Sequence, residues 1–218
     1  MLIADFLPRL LPDLPGCPSA AVKQALIDAA KEFLTESQVW NEVQDPTQIV
    51  SGVQEYSLDA PDSSARCIDV RAIYAPWMPR GSLIGVTLAQ IARDDPAWAE
   101  RTGSQPVYYT RAFDFSNYRV FPMPTNVPAG TQVRVHGVYT LTDAATKLPD
   151  DIVTRYGEAI ASGAKQRLMV QPGKTWSNDK LAVFHLGRFE SGKLNAKIDA
   201  MHGQTTGDIF VPPRRFGQ

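Results

Sequence analysis

The sequence predicts an α+β fold: a helical bundle of one N-terminal and two C-terminal helices, an inserted antiparallel β domain and an extended C-terminal arm. Three observations predict it. Apolar residues recur at spacings of three and four over 19–38 and again beyond 150; between 46 and 147 they alternate with a period of two; past 203 Gly and Pro replace regular patterning. The expected boundaries are 1–45 with 148–203 for the bundle, 46–147 for the β domain and 204–218 for the arm.

Prolines 8, 12, 15 and 18 punctuate the opening, and Ser19 then stands where an N-cap belongs. Val22, Leu26, Ala29, Ala30 and Phe33 form one apolar face between Lys23, Asp28, Lys31 and Glu32, so a helix is expected over 19–38, with Trp40 closing its apolar end. Strands are expected around Gln48–Val50, Gln54–Leu58, Cys67–Tyr74, Val107–Phe113, Tyr118–Pro122 and Thr131–Leu141. A hairpin turn is expected at Phe113–Tyr118, and a short helix at Leu88–Arg93 on the edge of this block. Asp150 reads as the N-cap of a helix whose stripe is Ile152, Tyr156, Ala159, Ile160, Gly163 and Leu168. A last helix begins after Ser177 and runs through Leu181, Phe184, Arg188 and Leu194 to about Met201. Short helices cannot bury their stripes alone, so the helix at 19–38 is expected to pack against the two after 150.

At 218 residues the chain can bury a hydrophobic core without disulfides. Its 44% hydrophobic and 21% charged residues set it apart from disordered and fibrous classes. A formal charge of -1 supplies no global field for nucleic acid or an anionic membrane. The first residues lack the basic start of a secretory signal, and no apolar run reaches the roughly 18 residues of a membrane helix, so a soluble cytosolic chain is expected. Cys17 and Cys67 are expected to be reduced thiols.

No constellation points to catalysis, a metal or a cofactor. Gly173-Lys174-Thr175 ends like a phosphate loop, but Leu168 occupies the position of its first glycine. Ser162-Gly163-Ala164-Lys165 matches the Ser-x-x-Lys pattern of some hydrolases without the elements that accompany it there. His136, His185 and His202 have no partner at metal-ligand spacing. Pro76, Trp77, Met78, Pro79 and Arg80 form a Pro-bracketed loop with two large apolar side chains, a candidate contact surface for a tail protein or a neighbouring copy.

A resemblance is carried by several short patterns in order. They are Pro18-Ser19 with Val39-Trp40, Gly52-x-x-x-Tyr56-x-Leu58, Ile68-Asp69-Val70-Arg71, and Trp98 through Thr102-Gly103, Pro106 and Tyr108-Tyr109. Val120-Phe121-Pro122-x-Pro124, Leu148-Pro149-Asp150 and Pro172-Gly173-Lys174-x-Trp176-Ser177 complete the series. Over about 17–202 the chain resembles the head-to-tail adaptors of tailed bacteriophages, similar to the tail tubular protein family of short-tailed phages. The resemblance implies a structural virion protein rather than an enzyme, assembled in the host cytoplasm and needing no cofactor. It implies a ring of about twelve copies between the portal protein and a tail or nozzle protein, with genomic DNA passing through without sequence-specific binding and no membrane partner. By position it also implies that Phe210, Val211, Pro212, Pro213, Arg214, Arg215 and Phe216 dock on the portal. Another head-completion or stopper protein, a Ser/Lys hydrolase and a sugar-binding β module are the alternatives.

Overall fold

A computed structural model of the chain describes residues 1–111 and 116–202. The mixed α+β class is as expected. A Pro-rich opening winds through 3-10 turns and α1 (Leu7–Leu10) into α2 (Ser19–Ser37). Three short strands follow, β1 (Asn41–Val43), β2 (Thr47–Gln48) and β3 (Glu55–Ser57), and then the long β4 (Ala65–Tyr74). Next come β5 (Ile84–Gly85), α3 (Leu88–Asp94), β6 (Thr102–Gly103), β7 (Tyr108–Arg111), β8 (Asn117–Phe121) and β9 (Met123–Pro124). The long β10 (Gln132–Leu141), α4 (Asp150–Met169) and α5 (Asp179–Met201) complete the order.

Helices α2, α4 and α5 pack together as the apolar spacing requires, and one core runs from them into the sheets. Two expected N-caps are corrected. Pro18 and Pro149, not Ser19 and Asp150, hold the cap positions, both extended, and their carbonyls accept from the amides of Val22 and Val153 at 3.1 Å. A proline carbonyl opens the hydrogen-bond ladder as well as any other, while the missing N–H and the clash of the ring with the preceding residue discourage the helix from extending further toward the N-terminus. Ser19 and Asp150 therefore become first-turn residues, and Asp150 with Asp151 still suits the positive end of the α4 dipole. Asn178 caps α5, its side chain accepting from the Leu181 amide at 3.1 Å.

Strand β10 is the spine of the first sheet, antiparallel to β1, β2 and β4. The second sheet runs β3-β8-β7-β5, and two-residue parallel pairs, β5 with β7 and β6 with β9, depart from the antiparallel expectation. Alternation in β10 holds through Val133 and Val135 and then stops, Gly137 to Leu141 all being buried. Both faces of the strand are covered there. Thr140 donates to the Lys31 carbonyl of α2 at 3.2 Å, while Tyr139 packs on Trp40 with ring centroids 5.9 Å apart and reaches the Asp59 carbonyl. Of the turn expected at 113–118, 113–115 lie outside the described residues, while Asn117 and Tyr118 already belong to β8, which pairs antiparallel with β7.

Two polar junctions fasten these layers. Glu32 of α2 accepts from Arg167 of α4 and, at 2.7 Å, from Lys193 of α5, joining three helices through one carboxylate. Lys193, only 8% exposed along its side chain, also pairs with Glu36 at 2.9 Å and Glu190 at 2.8 Å. Burial alone would lower its pKa, yet the hydrogen bonds it donates to Glu190, Glu32 and Glu36 outweigh that effect and hold the ammonium above its ordinary range. The contribution of the Lys193 ammonium is thus complete below its ordinary value near 10.5 and is lost only at higher pH. The second junction is Arg71 of β4, which donates to the Ala200 carbonyl at 3.1 Å and the Gln38 carbonyl at 3.2 Å. Those carbonyls belong to the C-terminal ends of α5 and α2, where the helix dipoles are negative.

Helices α4 and α5 meet through glycine. A Cβ at Gly163 would stand 2.6 Å from the Phe189 ring, whereas one at Gly187, on the opposite side of α5, would meet nothing within 4 Å. Gly163→Ala is therefore expected to destabilise by about 1–3 kcal/mol through forced repacking. Gly187→Ala should instead stabilise by about 0.5–1 kcal/mol through helix propensity. Urea unfolding of both variants checks the contrast.

Candidate interaction surfaces

The Trp77 loop divides into an inward and an outward half. Trp77 and Met78 are half-buried against the core, and the Trp77 indole N–H donates to the Pro106 carbonyl at 2.9 Å. Pro76, Pro79 and Arg80 face outward, and a turn through Gly81, at φ +72°, returns the chain to β5. Trp77 and Pro76 line a groove of about 650 Å³ with Tyr74, Gln105 and Arg134. Phe210, Val211, Pro212, Pro213, Arg214, Arg215 and Phe216 lie outside the described residues.

A second surface lies on the β side. Trp98 meets Phe121 edge to face at 5.1 Å, and these two rings with Ile84, Ile91 and Tyr108 line a groove of about 420 Å³ beneath α3. Asp95 holds the rim, accepting from the Ala97 amide at 3.3 Å and pairing with Arg101 at 2.6 Å.

A third surface did not emerge from the sequence reading. The core side of α5 is Ala182, His185, Phe189, Lys193, Ala196 and Ala200, so its large apolar residues are left facing out. Val183 is 70% exposed, Phe184 57%, Leu194 60%, Ile198 44% and Met201 70%. Between α4 and α5 on this side runs a groove of about 710 Å³, lined by Arg155, Ala159, Phe184, Gly187, Arg188 and Ser191 among others. The signal was present: α5 carries more apolar positions than one stripe can hold, with Phe184 and Leu194 out of phase with Phe189 and Ala196.

The motifs with catalytic overtones are occupied structurally. The Ser162 hydroxyl donates to the Glu158 carbonyl of its own helix at 2.9 Å, and Lys165 pairs with Asp13 at 2.5 Å. Lys174-Thr175 sits in the turn between α4 and α5, where Gly173 has φ +72° and the Thr175 hydroxyl donates to the Pro15 carbonyl at 3.0 Å. Cys17 and Cys67 are free, buried thiols whose pKa values burial raises, Cys67 with a lesser opposing effect from Arg111. Among the described residues no His, Cys, Asp and Glu group could hold a metal ion, and no helix is long and apolar enough to cross a membrane. His136 and His185 are each held below their ordinary pKa, first by burial and then by Arg71 and Lys165 respectively.

The SU10 adaptor protein family model matches residues 1–212. The chain belongs to this family. It is a structural adaptor of the bacteriophage virion, a class defined by contact with portal and tail proteins rather than by catalysis. No curated protein sequence matches the adaptor.

Two outcomes are expected from this geometry. Trp77→Phe removes one hydrogen bond and should cost about 1 kcal/mol, whereas Trp77→Ala also opens a cavity and should cost about 3 kcal/mol, both read from urea unfolding. A depressed histidine pKa means that the unfolded chain binds protons first as pH falls below about 6.5, so stability is complete above that value and declines below it. His185, flanked by Lys165, Asp13 and Arg188, contributes to this decline. Unfolding free energy measured from about pH 7.5 to about 5.5 should fall less in His185→Gln than in the parent; an unchanged slope would remove His185 from the account.

Proposed function

We propose that the adaptor forms a closed ring of about twelve copies between the portal protein and the next tail or nozzle protein, and that the ring lines part of the DNA conduit. The carrying observation is the family match over 1–212. The proposed division of labour follows the chain: 1–45 with 148–203 as the base, 46–147 as the inserted β unit, and 204–218 as an arm reaching the portal.

Physical chemistry supports this reading at three points. A static joint needs a stiff subunit, and here the Glu32 junction holds the three helices to one another while Arg71 ties them to the sheet. A chain with a formal charge of -1 does not grip passing phosphates, which suits a conduit wall. The arm sequence, Phe210-Val211-Pro212-Pro213-Arg214-Arg215-Phe216, combines prolines that lower the entropy lost on ordering with Arg and Phe anchors. Pro76, Pro79 and Arg80 offer a smaller outward contact to a tail protein or a neighbour.

Mixing the purified chain with the portal of its own phage and weighing the product tests the reading. A ring-sized mass increment is expected, and a chain ending at Gly203 should lose it. No association by either form would overturn the adaptor assignment, and full association by the shortened chain would overturn the arm.

A further inference from the structure

We propose that the outward face of α5 is the surface by which one copy of the adaptor packs against the next, its occupant being a second copy of this chain. The inference deepens the ring reading and rests on it for its context, though its test reads separately.

The face is built for a helix. Phe184, Gly187, Ser191, Leu194, Ile198 and Met201 are spaced 3-4-3-4-3, the repeat of a helix that lies along another helix. At 100° per residue, these positions point almost directly away from the core-facing series Ala182, His185, Phe189, Lys193, Ala196 and Ala200. One helix thus carries two seams, of which the bundle fills one. With the exposures given above, Val183, Phe184, Leu194, Ile198 and Met201 present about 600 Å² of apolar surface, at the upper limit for a patch on a solitary soluble protein. A standard interface takes about 800 Å² from each partner, so this stripe and its rim are of the required size.

The shape is specific as well. Gly187 leaves a notch, since a Cβ there would meet nothing within 4 Å, and the adjoining groove of about 710 Å³ is floored by Ala159 and Ser191. Its wall is the Phe184 ring with the Arg188 guanidinium 6.0 Å above it. A protruding apolar side chain from a neighbouring helix fits against that wall, over the Gly187 notch.

Charge then selects the occupant. The flanks carry both signs, Arg188 and Lys197 against Glu190, which suits a partner of near-zero net charge and offers little to polyanionic DNA. The chain itself, at -1, meets its own copies without repulsion. In a ring the contact is heterologous, so α5 of one copy lies on a different face of the next.

Photo-crosslinking on the full chain tests the proposal. Leu194→Cys, labelled with a benzophenone maleimide, reports on the seam, and Val43→Cys on β1, 49% exposed, is the control; the native Cys17 and Cys67 are buried. Irradiation with portal present should give chain-to-chain adducts from position 194, mapped by mass spectrometry to a surface other than α5, and few from position 43. Leu194→Glu, with helicity unchanged by circular dichroism, should weaken self-association on the portal by about tenfold or more. Absence of chain-to-chain adducts from position 194, or adducts to the portal alone, would overturn the seam even where a ring-sized complex forms. Failure to bind the portal at all would instead overturn the adaptor reading.

Discussion

Helix α2 carries more apolar surface than one neighbour can cover, and the rest of the molecule is arranged around that constraint. Its buried residues, Val22, Ala25, Leu26, Ile27, Ala29, Ala30, Phe33, Leu34 and Ser37, sweep over half of its circumference. Phe33 is satisfied by the helical side, its ring 5.5 Å from Tyr156 of α4 and 6.1 Å from Phe189 of α5. The other flank turns to the sheet, where Thr140 bonds to the Lys31 carbonyl and Lys31 pairs with Asp143 just beyond β10. A helix buried on two sides leaves the bundle and the sheet no independent core. Arg71 then ties β4 to the last carbonyls of α2 and α5, so layers that share a core also share a frame.

The energetic consequence is a rigid body with unspent surface. Close approach of α4 to α5, set by Gly163 against Phe189, takes up the side of α5 that carries Ala182, Phe189 and Ala196 and leaves Val183, Phe184, Leu194, Ile198 and Met201 outward. In an enzyme such exposure would be a liability. Under the proposed ring assembly, apolar surface that folding leaves open is what a neighbouring copy would cover. Lys193, its own side chain 8% exposed, pairs with Glu32, Glu36 and Glu190 and so fixes helix positions that apolar packing alone would leave free to slide.

Much of the fold was legible because local chemistry and tertiary demand agree. The spacing of Val22, Leu26 and Phe33 and the restart at Leu148-Pro149-Asp150 each mark an element that the structure keeps. The N-caps at Pro18 and Pro149 were hidden because residue preference favours Ser and Asp, whereas the cap carbonyl belongs to the backbone of any residue. The burial of Gly137 to Leu141 on both faces was hidden too, since period-two alternation assumes one wet face and β10 has none there. Of the candidate contact surfaces, the Trp77 loop was visible from its prolines. The exposed apolar face of α5 was not, because periodicity finds a stripe but does not say which of two stripes the core takes. Phe189, sitting on Gly163, decides that choice through a contact between helices.

Electron cryomicroscopy of the portal with the full-length adaptor bound tests the central claim most directly. The account predicts a closed ring beneath the portal in which each bundle of α2, α4 and α5 is intact and the outer face of α5 is buried against the adjacent copy. A neck without this chain, or isolated copies on the portal with α5 facing solvent, would contradict it.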